Sequence, residues 1–263
     1  MPTPLLITES LIDEINAVVH SYEIPSEFTL RKWERDARAL TKKGRDEAAD
    51  GYQLLGMIAT VKCAPDDIEM YFKKALDLKP DSSIIAENLY TALCNILLMR
   101  KSYELMMELH RERVLGIEGI SDTEFAHMLT LSGHVQTARN LLCNANDDEI
   151  LKKTKKGGLT VGWVDKVIEN LKKASLSENH LSLWVDCAVE AVREKVILLN
   201  IPPWQVRVEF EMVPEAGPII KLLVPTNVEI VVDLNFTVAD ALGELDIPTV
   251  HNLPIISVMT NVN

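Results

Sequence analysis

The chain is poor in the residues that most reactive sites are built from. Its four cysteines, Cys63, Cys94, Cys143 and Cys187, form no CxxC pair and sit among apolar helical neighbours. They read as reduced thiols, not as disulfides or a metal site. Aromatics make up 5% of the residues, so Trp33, Trp163, Trp184 and Trp204 read as packing residues and not as a stacking platform for bases. Lys and Arg number 27 against 39 Asp and Glu, a net charge of -12. That balance argues against nucleic acid or an anionic membrane as the main partner, since phosphates must be met by a basic surface. No run of about 18 apolar residues occurs, and the N-terminus has no basic stretch before its apolar residues, so a cytoplasmic protein without membrane insertion is expected. There is no GxSxG, HExxH or GxGxxG motif.

What is present is the composition of a globular protein: 263 residues, 47% hydrophobic and 25% charged, enough for one large or two smaller cores. Residues 1–150 carry 16 cations and 25 anions, residues 151–200 carry 9 and 6, and residues 201–263 carry 2 and 8. The middle segment is therefore the basic one.

Apolar residues recur at three and four from about Leu5 to about Leu199, the pattern of helices. Pro202 and Pro203 interrupt it, and the period then becomes two. Val206, Val208, Phe210 and Met212 alternate with Gln205, Arg207, Glu209 and Glu211, as in a strand with one wet face. Further strands are expected at 218–224 and 228–233, a helix at 237–245 with Val238, Ala241, Leu242 and Leu245 on one face, and a last strand near the C-terminus. The fold class is α+β: an all-α domain over 1–200, then a small domain over 204–263 with three or four strands and one covering helix. Strands apolar on both faces require cover from two sides, which makes a homodimer through this domain one candidate assembly. Trp204 is expected as a wedge between helices and sheet.

Within the helical region, residues 49–82 form a 34-residue unit with Tyr52, Leu55-Gly56, Ala59, Phe72, Ala75 and Pro80 in register. This unit resembles a tetratricopeptide repeat, departing at Ile68, where a small residue is usual. Gly56 and Ala59 let a second helix lie close, Phe72 and Ala75 fill the gap, and Pro80 ends the hairpin. Degenerate units follow at 83–116 and 119–152, the latter with Ala126, Leu129, Gly133, Ala138 and Leu142, and flanking helices act as caps. The resemblance implies a superhelix whose first helices line a groove for a peptide or a partner's helix. The groove candidates are Asp50, Gln53, Met57 and Thr60, then Glu87, Asn88, Thr91 and Asn95, then Thr123, His127 and Thr130.

Lys152, Lys153, Lys155 and Lys156 lack the GxxxxGK[ST] order of a phosphate loop and read as a basic loop able to touch an acidic partner. His127 and His134 have no further ligands for zinc, and residues 146–149 lack the spacing of a calcium loop. No metal, cofactor or catalytic residue is assigned. The first functional expectation is a non-enzymatic adaptor that binds a protein or peptide, with the C-terminal domain as a second interface. The alternatives are an enzyme with its site near Asp233, Asp240, Glu244 and Asp246 or at the domain junction, and a nucleic-acid-linked regulator using the basic 152–173 stretch.

Overall fold

The structure, a computed structural model, describes residues 4–21, 23–113, 122–144, 158–248 and 250–260. Eleven α-helices and one three-stranded sheet lie among them, an α+β fold. The chain divides into two compact units, 1–119 with 202–205, and 120–201 with 206–263.

The first unit runs α1 (Pro4–Ser21), α2 (Glu27–Leu40), α3 (Arg45–Val61), α4 (Pro65–Leu78), α5 (Ser83–Asn95) and α6 (Met99–Arg113). Local chemistry sets the boundaries. The Ser26 side chain accepts from the Thr29 N–H at the start of α2, and Ser82 does the same for Ile85 at α5, each satisfying an orphan donor of a first turn. Pro65 opens α4, where a missing N–H costs nothing. Pro80 follows the last turn of α4 and stops it.

Helix α3 is the hub, packing on α1, α2, α4 and α5. Gly56 makes the α3–α4 contact: a Cβ there would fall 2.5 Å from the Phe72 ring. The core joins Leu11, Ile15, Trp33, Ala37, Leu40, Leu54, Leu55, Ile58 and Val61 with Trp204. The Trp204 indole donates to the Val61 carbonyl at 3.1 Å. Trp204 is thus a core residue of this unit. Its four-residue segment leaves the 206–263 region it was expected to introduce.

The second unit contains α7 (Asp122–Leu131), α8 (Val135–Asn144), α9 (Val161–Ala174), α10 (Glu178–Leu198), β1 (Arg207–Val213), β2 (Gly217–Val224), α11 (Val228–Gly243) and β3 (Ile255–Thr260). Gly133 turns the α7–α8 hairpin at φ +84, and a Cβ there would meet Ser182 at 2.5 Å, so only glycine suits the site. The sheet order is β1-β2-β3. β1 and β2 are antiparallel, with Phe210 opposite Ile220, while β2 and β3 are parallel, with Leu222 opposite Val258. Trp163 of α9 meets Phe210 edge-on at 4.9 Å, and α10 packs on α11.

Two expectations are corrected. Residues 228–233 are not a strand but the first turns of α11, which runs unbroken to Gly243. Adjacent parallel strands need a crossover connection, and a helix is its usual form. The run of Val and Ile at 228–232 imitates a strand, yet Val231, Leu234, Val238 and Leu242 are the buried set, at helical spacing. The division of the chain falls at 119/120 and not near 200, because α7 to α10 build their contacts with one another, with the sheet and with α11.

Candidate functional site

The residues singled out from the repeat pattern do not share one surface. On α3, Gln53 and Thr60 are buried, and the Thr60 hydroxyl donates to the Gly56 carbonyl at 3.0 Å. Asp50 is held by Lys79 at 2.8 Å, and Met57 is half-buried against the core. On α5, Glu87, Asn88 and Asn95 are half-exposed and Thr91 is exposed; of the three sets, this is the one open to a partner. On α7, Thr123 and Thr130 are fully buried, and the Thr130 hydroxyl donates to the Ala126 carbonyl at 2.8 Å. His127 accepts from the Leu159 N–H at 2.8 Å and its ring meets that of Phe210 at a tilt, with centroids 5.0 Å apart. These α7 residues serve the interior of the second unit, so they are corrected from groove-lining to core. A threonine on a helix can return its hydroxyl to the carbonyl four residues back and so be buried with its hydrogen bond satisfied, which the repeat pattern does not reveal. Lys152, Lys153, Lys155 and Lys156 lie outside the described residues.

A surface that the sequence reading missed lies on α11. Asn227 caps the helix by accepting from the Ile230 N–H at 3.0 Å. With Val231, Leu234, Val238 and Leu242 turned inward, the opposite row is apolar and bare: Val228 is 65% exposed, Val232 49% and Phe236 66%. Alongside lies an open groove of about 540 Å³, walled by Trp184, Asn235, Ala239, Gly243, Ile255 and Ile256 among others. Asn235 is already engaged. Its carboxamide donates to the Val258 carbonyl at 2.8 Å and accepts from the Val258 N–H at 3.0 Å, closing part of the outer edge of β3. The sequence signal was available: positions 228, 232 and 236 recur at four, but the β-branched run invited a period of two.

The charge carried by α11 itself is of one sign. No Lys or Arg follows Lys221 in the sequence, whereas Glu229, Asp233, Asp240, Glu244 and Asp246 do. Asp233 is paired with Lys195 of α10 at 2.8 Å. Asp233, Asp240, Glu244 and Asp246 are all exposed, and the groove walls include none of them. They stand exposed along α11 and in the turn that follows it. Several groups have a displaced acidity. Glu69 is held below the usual carboxylate range by hydrogen bonds from Lys101 and Lys73, and burial pushes the Cys94 thiol up to about 11. Burial also raises Cys187, whose thiol donates to the Ala241 carbonyl at 3.4 Å. Among the described residues no cluster of three or more His, Cys, Asp or Glu could hold a metal ion, and no helix is long and apolar enough to cross a membrane.

Fold and surfaces together define an α+β protein with a helical first unit and a second unit in which a sheet carries one bare amphipathic helix. The chain matches no protein-family model, no curated protein and no solved structure.

Proposed function

We propose that this chain is a protein-interaction scaffold, a non-enzymatic adaptor that holds partners on the faces of its helices. The observation that carries the reading is the bare row Val228, Val232 and Phe236 on α11, continuous with the groove at Ala239 and Gly243. Large apolar side chains scattered singly are ordinary, whereas a row of them beside an apolar groove marks a docking site. The chemistry of the groove supports docking over catalysis, because its walls are mainly apolar and its carboxamide is tied to the backbone. In the first unit, the tetratricopeptide-like hairpin α3–α4 and the accessible Glu87, Asn88, Thr91 and Asn95 of α5 form the second proposed face, for a polar peptide segment.

Photo-crosslinking from position 236, in the native cell, tests this. A discrete protein adduct is expected, lost on Val232→Asp with Phe236 replaced only by the crosslinker, and unaffected by Thr91→Ala. Absence of any adduct from positions 236, 232 and 91 alike would overturn the scaffold reading.

A further inference from the structure

A second exposed row lies on α2, where Trp33, Ala37 and Leu40 are buried and Phe28, Arg31, Arg35 and Arg38 form the outer face, with Lys42 exposed in the turn just after the helix. From Phe28 to Arg38 the intervals of three and four make one line of about 15 Å at the rise of an α-helix. Phe28 is 80% exposed. In this acidic chain, residues 31–45 hold seven Lys and Arg against two Asp and Glu. The local carboxylates offset only part of that: Arg31 pairs with Glu27 at 2.6 Å and Arg35 with the adjacent Asp36 at 3.0 Å. Arg38 reaches the Tyr71 hydroxyl at 3.4 Å, and neither Arg38 nor Lys42 has an ion pair among the described residues. A shallow depression of about 470 Å³ is walled by Arg31, Arg35, Arg38, Ala39 and Lys42 together with Glu34, which is itself paired with Lys62 at 2.7 Å.

The α11 row is its complement in charge. Set side by side in the same direction, Phe28 comes opposite Val232 and Phe236, Arg35 opposite Asp240, and Arg38 with Ala39 opposite Gly243 and Glu244. Apolar ends meet apolar ends, cations meet carboxylates, and the small residues Ala39 and Gly243 allow close approach. We propose that α2 of one molecule docks on α11 of a second copy. This rests on the reading of α11 as an interaction face and names its occupant.

Two alternatives fit less well. A symmetric contact of α11 with its own copy would set Glu229, Asp240 and Glu244 against like charges, with no Lys or Arg between residues 222 and 263 to relieve them. A nucleic acid along α2 is as anionic as α11, but it would leave the exposed apolar row of α11 uncovered. Because the two faces differ, each docked pair leaves one face of each kind unfilled, so association continues head to tail until a ring closes.

Sedimentation velocity and light scattering on the full chain test this. The weight-average mass is expected to climb with concentration in low salt and fall back in high salt. Arg35→Glu with Arg38→Glu should weaken association at least tenfold, as should Asp240→Arg with Glu244→Arg, while circular dichroism and melting stay unchanged. Mixing the two variants should restore association, because each supplies the charge the other has lost. A monomer at every concentration would overturn the proposal, as would a mixture that stays monomeric. If the α2 variant still associates but Val232→Asp with Phe236→Asp does not, the α2 contact is wrong and α11 keeps its standing as an interaction face. Salt-sensitive binding of a fluorescent oligonucleotide through Arg35 and Arg38, without self-association, would assign α2 to nucleic acid instead.

Discussion

The atom that Gly56 lacks shows how tightly α3 and α4 meet, since a Cβ would enter the Phe72 ring at 2.5 Å. Gly56→Ala is expected to cost about 1–3 kcal/mol, the usual penalty of overpacking a filled core, read as a lower urea midpoint at unchanged slope. Glu69 ties α4 to α6 through Lys101 at 2.6 Å and takes Lys73 on its own helix at 2.7 Å. Its lowered pKa means that the unfolded chain binds the proton more readily than the folded one. The contribution is therefore complete above the ordinary carboxylate range and disappears as pH falls through the lowered folded value. Glu69→Gln should lose up to about 1 kcal/mol near neutrality and nothing in strong acid, measured as melting temperature against pH. The cysteines separate by environment: Cys143 is exposed, whereas the Cys94 thiol is held up to about 11 and donates to the Ser102 hydroxyl at 3.4 Å. A thiol reagent near neutral pH should therefore label Cys143 first and Cys94 only after unfolding.

At the scale of elements, the β1–β2 hairpin was legible because alternation over 206–212 is a backbone property of a strand with one wet face. The paired strands Arg207–Val213 and Gly217–Val224 follow it closely. The hairpin α3–α4 was legible for a different reason: Gly56, Phe72 and Pro80 are each demanded by local geometry. α11 was misread in its first half, because Val and Ile at 228–232 satisfy a period of two as well as one of four, and only the parallel β2–β3 pairing makes a helix there necessary. That misreading hid the exposed apolar row. Since Val232 and Phe236 are exposed, Val232→Asp with Phe236→Asp should change stability by no more than about 0.5 kcal/mol per site, while abolishing partner capture. Melting and crosslinking on the same preparation check both halves of that statement. Asn235 is the opposite case: Asn235→Leu strands the Val258 N–H and carbonyl and should cost about 1–3 kcal/mol.

For the whole molecule, the break at Pro202 and Pro203 was visible as a change of period, yet it does not divide the chain where the period changes. Trp204 explains why. Its indole fills the core of the first unit and bonds the Val61 carbonyl, so residues 202–205 belong with α1 to α6 while the chain on either side belongs to the second unit. Trp204→Ala should cost about 3–5 kcal/mol and lower the melting of the first unit. Trp33 can report it by fluorescence once Trp163 and Trp184 are replaced by Phe. The sequence by itself determined the periods of most helices, the glycines of the hairpins and the absence of any membrane-length apolar run, because these depend on neighbours a few residues away. Only the tertiary structure decided that Thr123, Thr130 and His127 face a core, that 228–233 is helical, and that α11 and α2 keep one face bare. Those outcomes depend on which surfaces meet across the chain, and the same amphipathic pattern permits a helix to be covered or left open.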